Sequence, residues 1–535
     1  MDSSEFRKAA HSAIDEIIDY HDTIHGRKVV STVSPGYLRK LLPSGPPEEG
    51  EKWNDIQKDI ESKIMPGLTH WQSPDFMAFF PSNASYPSIL GELYSAAFTA
   101  PAFNWLCSPA VTELETVILD WLSRLFNLPP CFYSDGEGGG VIQGSASEAI
   151  VTVMVAARER YFKRACEDLD GEAREAKISS LRSRLVALGS DQSHSSTQKA
   201  ALILGVRYKA IPTTMEDNLS ISGEHLIQTL GECEREGLEP FYLTVTLGTT
   251  STCAVDYFQE IQQVLRRDLQ PAPEIWIHVD AAYAGAALVC EEYHHLTKSF
   301  DAFDSFEMNM HKWLLVNFDA GCLWVKNRND LTSALSITPS YLRNDFSDSG
   351  LVTDYRDWQI PLGRRFRSLK IWFVLRSYGV SGLKSYIRNH IRLGMVFHDM
   401  VLSQPDLFEI LAPPAFALTV FTVKPATEQE TEIPFENGVS HLGAEERKVA
   451  TGIILEYENR QLQRANAITK RVYEAINAAG EIFLTGCVVK GVYAIRVVSG
   501  NENTDEQYLR KAFDILVRTT LEMQSKTEVT YTNGV

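Results

Sequence analysis

Three short stretches carry residue types that could do chemistry together. In His278-Val-Asp280-Ala-Ala282-Tyr-Ala-Gly285 an apolar run delivers a carboxylate and is then closed by small residues. Such an Asp either ends a turn or pairs with a cationic ring nitrogen, and small neighbours let a flat ring approach the backbone. In Asn309-Met-His311-Lys312-Trp313 a lysine sits between two apolar runs, 303–310 and 313–316. An amine desolvated by such neighbours is a better nucleophile toward a carbonyl, which suits a Schiff base. The third stretch is Gly136-Glu-Gly-Gly-Gly140-Val-Ile-Gln-Gly144-Ser145-Ala146-Ser147-Glu148. Its glycines match neither the dinucleotide fingerprint nor the phosphate loop of nucleotide triphosphatases. Gly144-Ser-Ala-Ser147 instead opens a helix expected over 149–160. There the backbone N–H groups and hydroxyls can take a phosphate, or one serine can simply cap the helix. A phosphate corner, a ring-nitrogen carboxylate and a Schiff-base lysine are together the parts that pyridoxal phosphate requires.

These residues need a scaffold that gathers them. Residues 202–206 (LILGV), 241–247 (FYLTVTL) and 275–279 (IWIHV) read as strands whose continuous apolarity fits burial on both faces. With helical patterns between them, 87–390 is expected to be an α/β domain with a mostly parallel central sheet flanked by helices. Ligands in such sheets bind beyond the carboxyl ends of the strands. Residues 1–86 are expected to form an N-terminal helical segment: 6–24 is amphipathic, a Pro/Gly-rich stretch follows, and 53–64 is helix-like. A lone amphipathic helix must bury its stripe, and a partner subunit is one way to do so. Residues 391–535 are expected to form an α+β domain. It should begin with a helix, with strands at 418–423, 482–484 and 493–498, a helix at 462–479 and a capping box at Thr504-Asp-Glu-Gln507. Within it, 424–447 is polar and reads as an exposed loop.

Composition removes several other classes. The 535 residues are too many for one core, and 44% hydrophobic with 22% charged residues is ordinary for a globular protein. A net charge of -18 disfavours nucleic acid and anionic membranes as partners. The eight cysteines include no C-x-x-C pair, and Cys290-Glu-Glu-Tyr-His294-His295 is not a zinc-binding H-E-x-x-H, so no metal site is expected. No secretory signal or membrane span is visible, which makes the cytoplasm the expected compartment. The sequons at Asn83-Ala-Ser85 and Asn218-Leu-Ser220 are then chance matches.

Longer stretches carry a resemblance. THWQSPDFMAFFP (69–81), NWLCSPAVTELE (104–115), GEGGGVIQGSASEA (136–149), SDQSHSS (190–196), TLGTTSTC (246–253), HVDAAYAG (278–285), NMHKWLLVNFD (309–319) and DYRDWQIPLGRRFRSLKIW (354–372) are similar to the pyridoxal-phosphate-dependent aromatic L-amino-acid decarboxylases, and run nearly end to end. The resemblance implies the fold type I architecture of pyridoxal-phosphate transferases and a homodimer with active sites at the subunit interface. By the same resemblance, Lys312 bonds the cofactor, Asp280 pairs with its ring nitrogen and His194 stacks on its face. Ala282 packs beside the ring, Thr246 contacts it, and Ala146 and Ser147 hold the phosphate with Asn309 and His311 close by. Tyr341, on a loop running through 344–350, is the acid that protonates the substrate's Cα.

The resemblance also frames product and substrate. In related aldehyde synthases the position of Tyr341 is typically Phe, and oxygen diverts the reaction to an aldehyde. Tyr341 and His194 together imply an amine product. Trp71, Phe79, Phe80, Phe103 and Leu106 fall in motifs that line the substrate pocket. Gly363 matches a position where plant relatives carry Gly with indole substrates and Ser with phenols, so tryptophan or 5-hydroxytryptophan is favoured over DOPA, tyrosine and phenylalanine. An aminotransferase or another pyridoxal-phosphate lyase would share Asp280 and Lys312 but not the tyrosine. A non-catalytic scaffold would have no use for either. One departure is an acidic insertion at about 426–455, where animal relatives pass directly from strand to helix.

Overall fold

The computed structural model describes residues 1–265, 275–337, 342, 344–348, 352–426 and 444–532, with side chains for all of these except 444–452 and 527–532. Contacts group the chain into two units, Ser82–Arg392 and a second made of Met1–Pro81 with Leu393–Val535. The N-terminal helical segment therefore shares a unit with the C-terminal residues.

The unit Ser82–Arg392 is built on a seven-stranded sheet. Its strands are β1 (Gly139–Gln143), β2 (Leu185–Ser190), β3 (Arg207–Ile211), β4 (Glu239–Thr246), β5 (Trp276–Asp280), β6 (Ser305–Asn309) and β7 (Gly321–Val325). The order is β1-β7-β6-β5-β4-β2-β3, and only β7 runs against its neighbours. This is the mostly parallel α/β sheet expected. β1, β2, β5, β6 and β7 are buried along their whole length, because helices cover both faces. Ala149, Ile150 and Val153 of the helix Ala146–Ala165 pack with Val141, Ala187, Phe241, Trp276 and Leu323 of the sheet.

One strand assignment fails. The run LILGV is the end of the helix Ser195–Leu204, and the strand begins only at Arg207. Gly205, at φ 67°, closes the helix: its N–H donates to Leu202 O and the Val206 N–H to Ala201 O. A short apolar run followed by Gly fits a buried strand and a helix terminus equally, and here the left-handed glycine decides.

The second unit has an antiparallel sheet of β8 (Phe408–Ile410), β9 (Leu418–Val423), β10 (Thr485–Val489) and β11 (Val492–Val498), in the order β10-β11-β9-β8. Val472 and Ile476 of the helix Ala444–Ala479 and Leu509 and Leu516 of the helix Glu506–Thr532 pack on Phe421, Ile495 and Val497. This is the expected α+β arrangement, with four corrections. The residues from Ile391 continue a helix, Arg367–Leu402, that is interrupted at Gly379. Residues 482–484 are not part of β10; Phe483 exchanges backbone hydrogen bonds with Asp75 and Met77 instead. The last helix is capped by Asp505, whose Oδ1 accepts from the Gln507 and Tyr508 N–H groups, and not by Thr504, whose buried hydroxyl has no partner. The expected loop and insertion are helical from Ala444 onward, continuous with the helix expected at 462; residues 427–443 lie outside the described residues.

At the N-terminus, the helix Ser3–Thr23 starts with a capping box. Asp2 Oδ1 accepts from the Ser4 and Glu5 N–H groups, and Glu5 Oε2 accepts from the Asp2 N–H. Phe6, Ile14 and Ile18 of its apolar stripe are exposed in the single chain.

Candidate active site

The phosphate corner forms where β1 ends. Ser145, extended at φ −165°, caps the helix Ala146–Ala165 by accepting from the Glu148 N–H, so the plain capping role is real for this serine. Ala146 N–H donates to Asn309 Oδ1 at 3.1 Å, which joins the helix start to the end of β6. Ser147 has no hydrogen bond of its own through hydroxyl or N–H among the described residues, and both stand at the positive end of a five-turn helix. Gly321, opposite Asn309 on β7, leaves little room for a side chain. A Cβ there would lie 3.0 Å from the Ser145 backbone and 3.1 Å from Asn309 Oδ1.

The ring corner lies at the ends of β4, β5 and β6. Thr246 and Asp280 are register partners, and so are Asp280 and Glu307. Asp280 Oδ1 accepts from the Ala282 N–H at 3.0 Å, which fixes the carboxylate. Asn309 N–H donates to Ala282 O, so the small-residue turn after β5 is tied to β6. Thr246 is held from below by its N–H donating to Asp256 at 2.7 Å, while its own buried hydroxyl has no partner.

Lys312 sits on the single turn Met310–Trp313 that follows β6. Its backbone is gripped by Asn83, whose N–H donates to His311 O and whose Nδ2 donates to Lys312 O at 2.9 Å. Trp313 stacks on Tyr283 at 4.7 Å and donates through Nε1 to His390. His311 Nδ1 accepts from the Ala320 N–H at 2.9 Å. His194 caps the helix after β2, its Nδ1 accepting from the Ser196 N–H. Desolvation lowers the His194 pKa, the Asp280 charge opposes this and the Lys312 charge adds to it, which favours the neutral imidazole. His194, Asp280 and Lys312 therefore share one electrostatic site.

Four residues that shape the site were missed in the sequence. Asn83 and Ser85 looked like a chance sequon; both are buried, and Ser85 donates to Leu315 O behind the lysine turn. Gly321 and Glu307 carried no local signal. Of the expected substrate residues, Phe103 and Gly363 lie in the same unit as Lys312. Gly363 borders a groove of about 690 Å³ that also touches Glu148 of the phosphate helix, and a Cβ at Gly363 would meet nothing within 4 Å. Its loop is pinned by buried Arg364, which pairs with Glu115 at 2.6 Å and lies over the Tyr355 ring. Trp71, Phe79 and Phe80 belong to the other unit. There Trp71 stacks on Phe79 at 5.7 Å, and Arg496 lies over Phe80. Tyr341 lies outside the described residues.

Buried histidines surround the site and make its stability pH-dependent. Burial pushes His278, His311 and His390 each down to about 4. A depressed folded pKa means the unfolded chain binds the extra proton. The stability each contributes is present above about 6.5 and is lost as pH falls toward 4, at about 1.4 kcal/mol per pH unit per histidine. The denaturant midpoint is expected to fall through this window, and His278→Asn to reduce the proton uptake on unfolding by about one. An unchanged uptake would contradict the assignment.

An anion corner with open donors, a carboxylate fixed by a backbone N–H, an unpaired threonine hydroxyl and an amine on a rigid turn fit pyridoxal phosphate. The comparisons agree. Residues 35–424 match the pyridoxal-dependent decarboxylase conserved domain. The chain belongs to this family and is a carboxy-lyase that uses pyridoxal phosphate. Among its relatives, rat aromatic-L-amino-acid decarboxylase is 48% identical over 426 residues, covering 79% of this chain and 86% of the relative. Phenylacetaldehyde synthase of Arabidopsis thaliana is 40% identical over 519 residues, 96% of each chain. The crystal structure of Oryza sativa TDC with PLP and tryptamine superposes with a TM-score of 0.86 at 34% identity, covering 98% of this chain and 99% of that one.

Proposed function

We propose that this enzyme converts aromatic L-amino acids to arylalkylamines and carbon dioxide, with tryptophan or 5-hydroxytryptophan preferred. The observation that carries the reading is the meeting of Lys312, Asp280 and His194 at the strand ends beside an open helix N-terminus. When bound, pyridoxal phosphate supplies an electron sink for the pair released as the substrate carboxylate departs. Lys312 would hold the cofactor through its amine. Asp280 would keep a proton on the ring nitrogen, with Thr246 and Ala282 beside the ring and His194 over its face. Ser147 and the Ala146 turn, braced by Asn309 with His311 close by, would hold the phosphate.

Tyr341 returns a proton to the substrate's Cα. A decarboxylase and an aldehyde synthase both match this chain over most of its length, and a proton donor at Tyr341 would favour the amine. Tyr341→Phe is expected to shift the products from amine toward aldehyde, ammonia and peroxide. A variant that still forms only amine at the parent rate contradicts the role.

Trp71, Phe79, Phe80, Phe103 and Gly363 are proposed to bind the aromatic side chain. The open space at Gly363 and a structural neighbour solved with tryptamine support an indole. kcat/KM measured for tryptophan, 5-hydroxytryptophan, DOPA, tyrosine and phenylalanine tests this, and absence of tryptophan turnover overturns it. The exposed apolar residues of the helix Ser3–Thr23 support a homodimer. Among the described residues no helix is long and apolar enough to cross a membrane and no His/Cys/Asp/Glu cluster could hold a metal. The cytoplasm is proposed as the compartment.

A further inference from the structure

Glu307 is the least expected residue of the sheet. It is fully buried in the middle of β6, and neither Oε1 nor Oε2 has a hydrogen-bond partner. It is the register partner of Asp280 on the adjacent parallel strand, and Ala281 N–H donates to Glu307 O at 2.9 Å. Register partners project to the same face of a sheet, so the two carboxyl groups stand side by side. His278 shares that face of β5 and is held neutral with its Nε2 unpartnered. The other titratable groups that feel Glu307 are Lys312, Tyr242 on β4 and Cys322 on β7. None of these hydrogen-bonds its oxygens. A carboxylate here would be a buried charge with no hydrogen bond, next to a second carboxylate, which is the arrangement proteins avoid by keeping one group protonated.

We propose that Glu307 is held as a neutral acid: it fills the space beside Asp280 without adding charge, so that the site's negative charge stays on Asp280. The inference rests on the reading of Asp280 as the partner of the cofactor's ring nitrogen. Burial drives the Glu307 pKa well above the usual carboxylate range, the Asp280 charge drives it further, and Lys312 offsets part of this. Asp280 has what Glu307 lacks, a backbone N–H on its carboxylate.

The test compares Glu307→Gln with the parent, as full-length chains with and without pyridoxal phosphate. A glutamate whose folded pKa is raised contributes stability that is complete below its unfolded value and is lost as pH rises through the folded value. Gln has no such loss. The gap in unfolding equilibrium constant between variant and parent should therefore widen in favour of the variant as pH rises from about 5 to about 8, by about tenfold per pH unit while Glu307 stays protonated. Pyridoxal phosphate affinity of the variant should equal the parent's. A gap that stays flat over this range, or a loss of cofactor affinity in Glu307→Gln, overturns the proposal. Glu307→Met serves if Gln packs badly, since neither oxygen is bonded, and must show the same widening gap. Asp280→Asn separates the two readings. Unchanged cofactor affinity in that variant would sink the Asp280 role, while the pH dependence of the Glu307 gap would still stand or fall by itself.

Discussion

Lys312→Ala is expected to lose the visible absorption of the cofactor-loaded enzyme and to lower kcat by roughly 10³-fold or more, the scale for removing a covalent catalyst. The fold should survive. The turn that carries the lysine is held by Asn83 on the His311 and Lys312 carbonyls, by Trp313 against Tyr283 and by the Trp313–His390 hydrogen bond. None of these uses the lysine side chain, so circular dichroism and the denaturant midpoint should stay near the parent's. A variant with parental absorption and turnover would move the covalent role to another lysine.

Asp280→Asn should cost about 10²–10³ in kcat, the loss seen when one preorganised electrostatic partner is removed. The substitution isolates charge from shape. Asn keeps an oxygen that can accept from the Ala282 N–H, the bond that now fixes Oδ1 at 3.0 Å, and the backbone of β5 stays in register with Thr246 and Glu307. What disappears is the negative charge opposite the ring nitrogen. Steady-state kinetics and cofactor titration are the checks. A kcat within a few-fold of the parent would mean that the ring nitrogen gains nothing from Asp280.

The site was legible wherever the chemistry is local in sequence. A strand running into Asp280, a lysine between apolar runs and Gly-Ser-Ala-Ser before a helix are patterns of neighbouring residues, and the sheet delivers each to a strand end. What was not legible depends on pairing across the fold. Glu307 matters because register sets it beside Asp280. Asn83 matters because its amide reaches the carbonyl of Lys312, 229 positions along the chain. Gly321 matters because Asn309 and the Ser145 backbone close over it. The strand misread at LILGV and the helix missed at Ala444 share another cause. Apolar runs and acidic runs report burial and solvation, and a helix terminus or an exposed helix satisfies those as well as a strand or a loop does. The cap at Asp505 was displaced by one residue because Thr504 and Asp505 are both good caps, and only backbone geometry chooses between them.

The most direct test of the site is to reduce the cofactor-loaded enzyme with borohydride, digest it and map the cofactor's mass by peptide sequencing. A single phosphopyridoxyl group on the peptide containing Asn309-Met-His311-Lys312-Trp313, at Lys312, is the predicted result. The modification on any other lysine, or on none, would contradict the account.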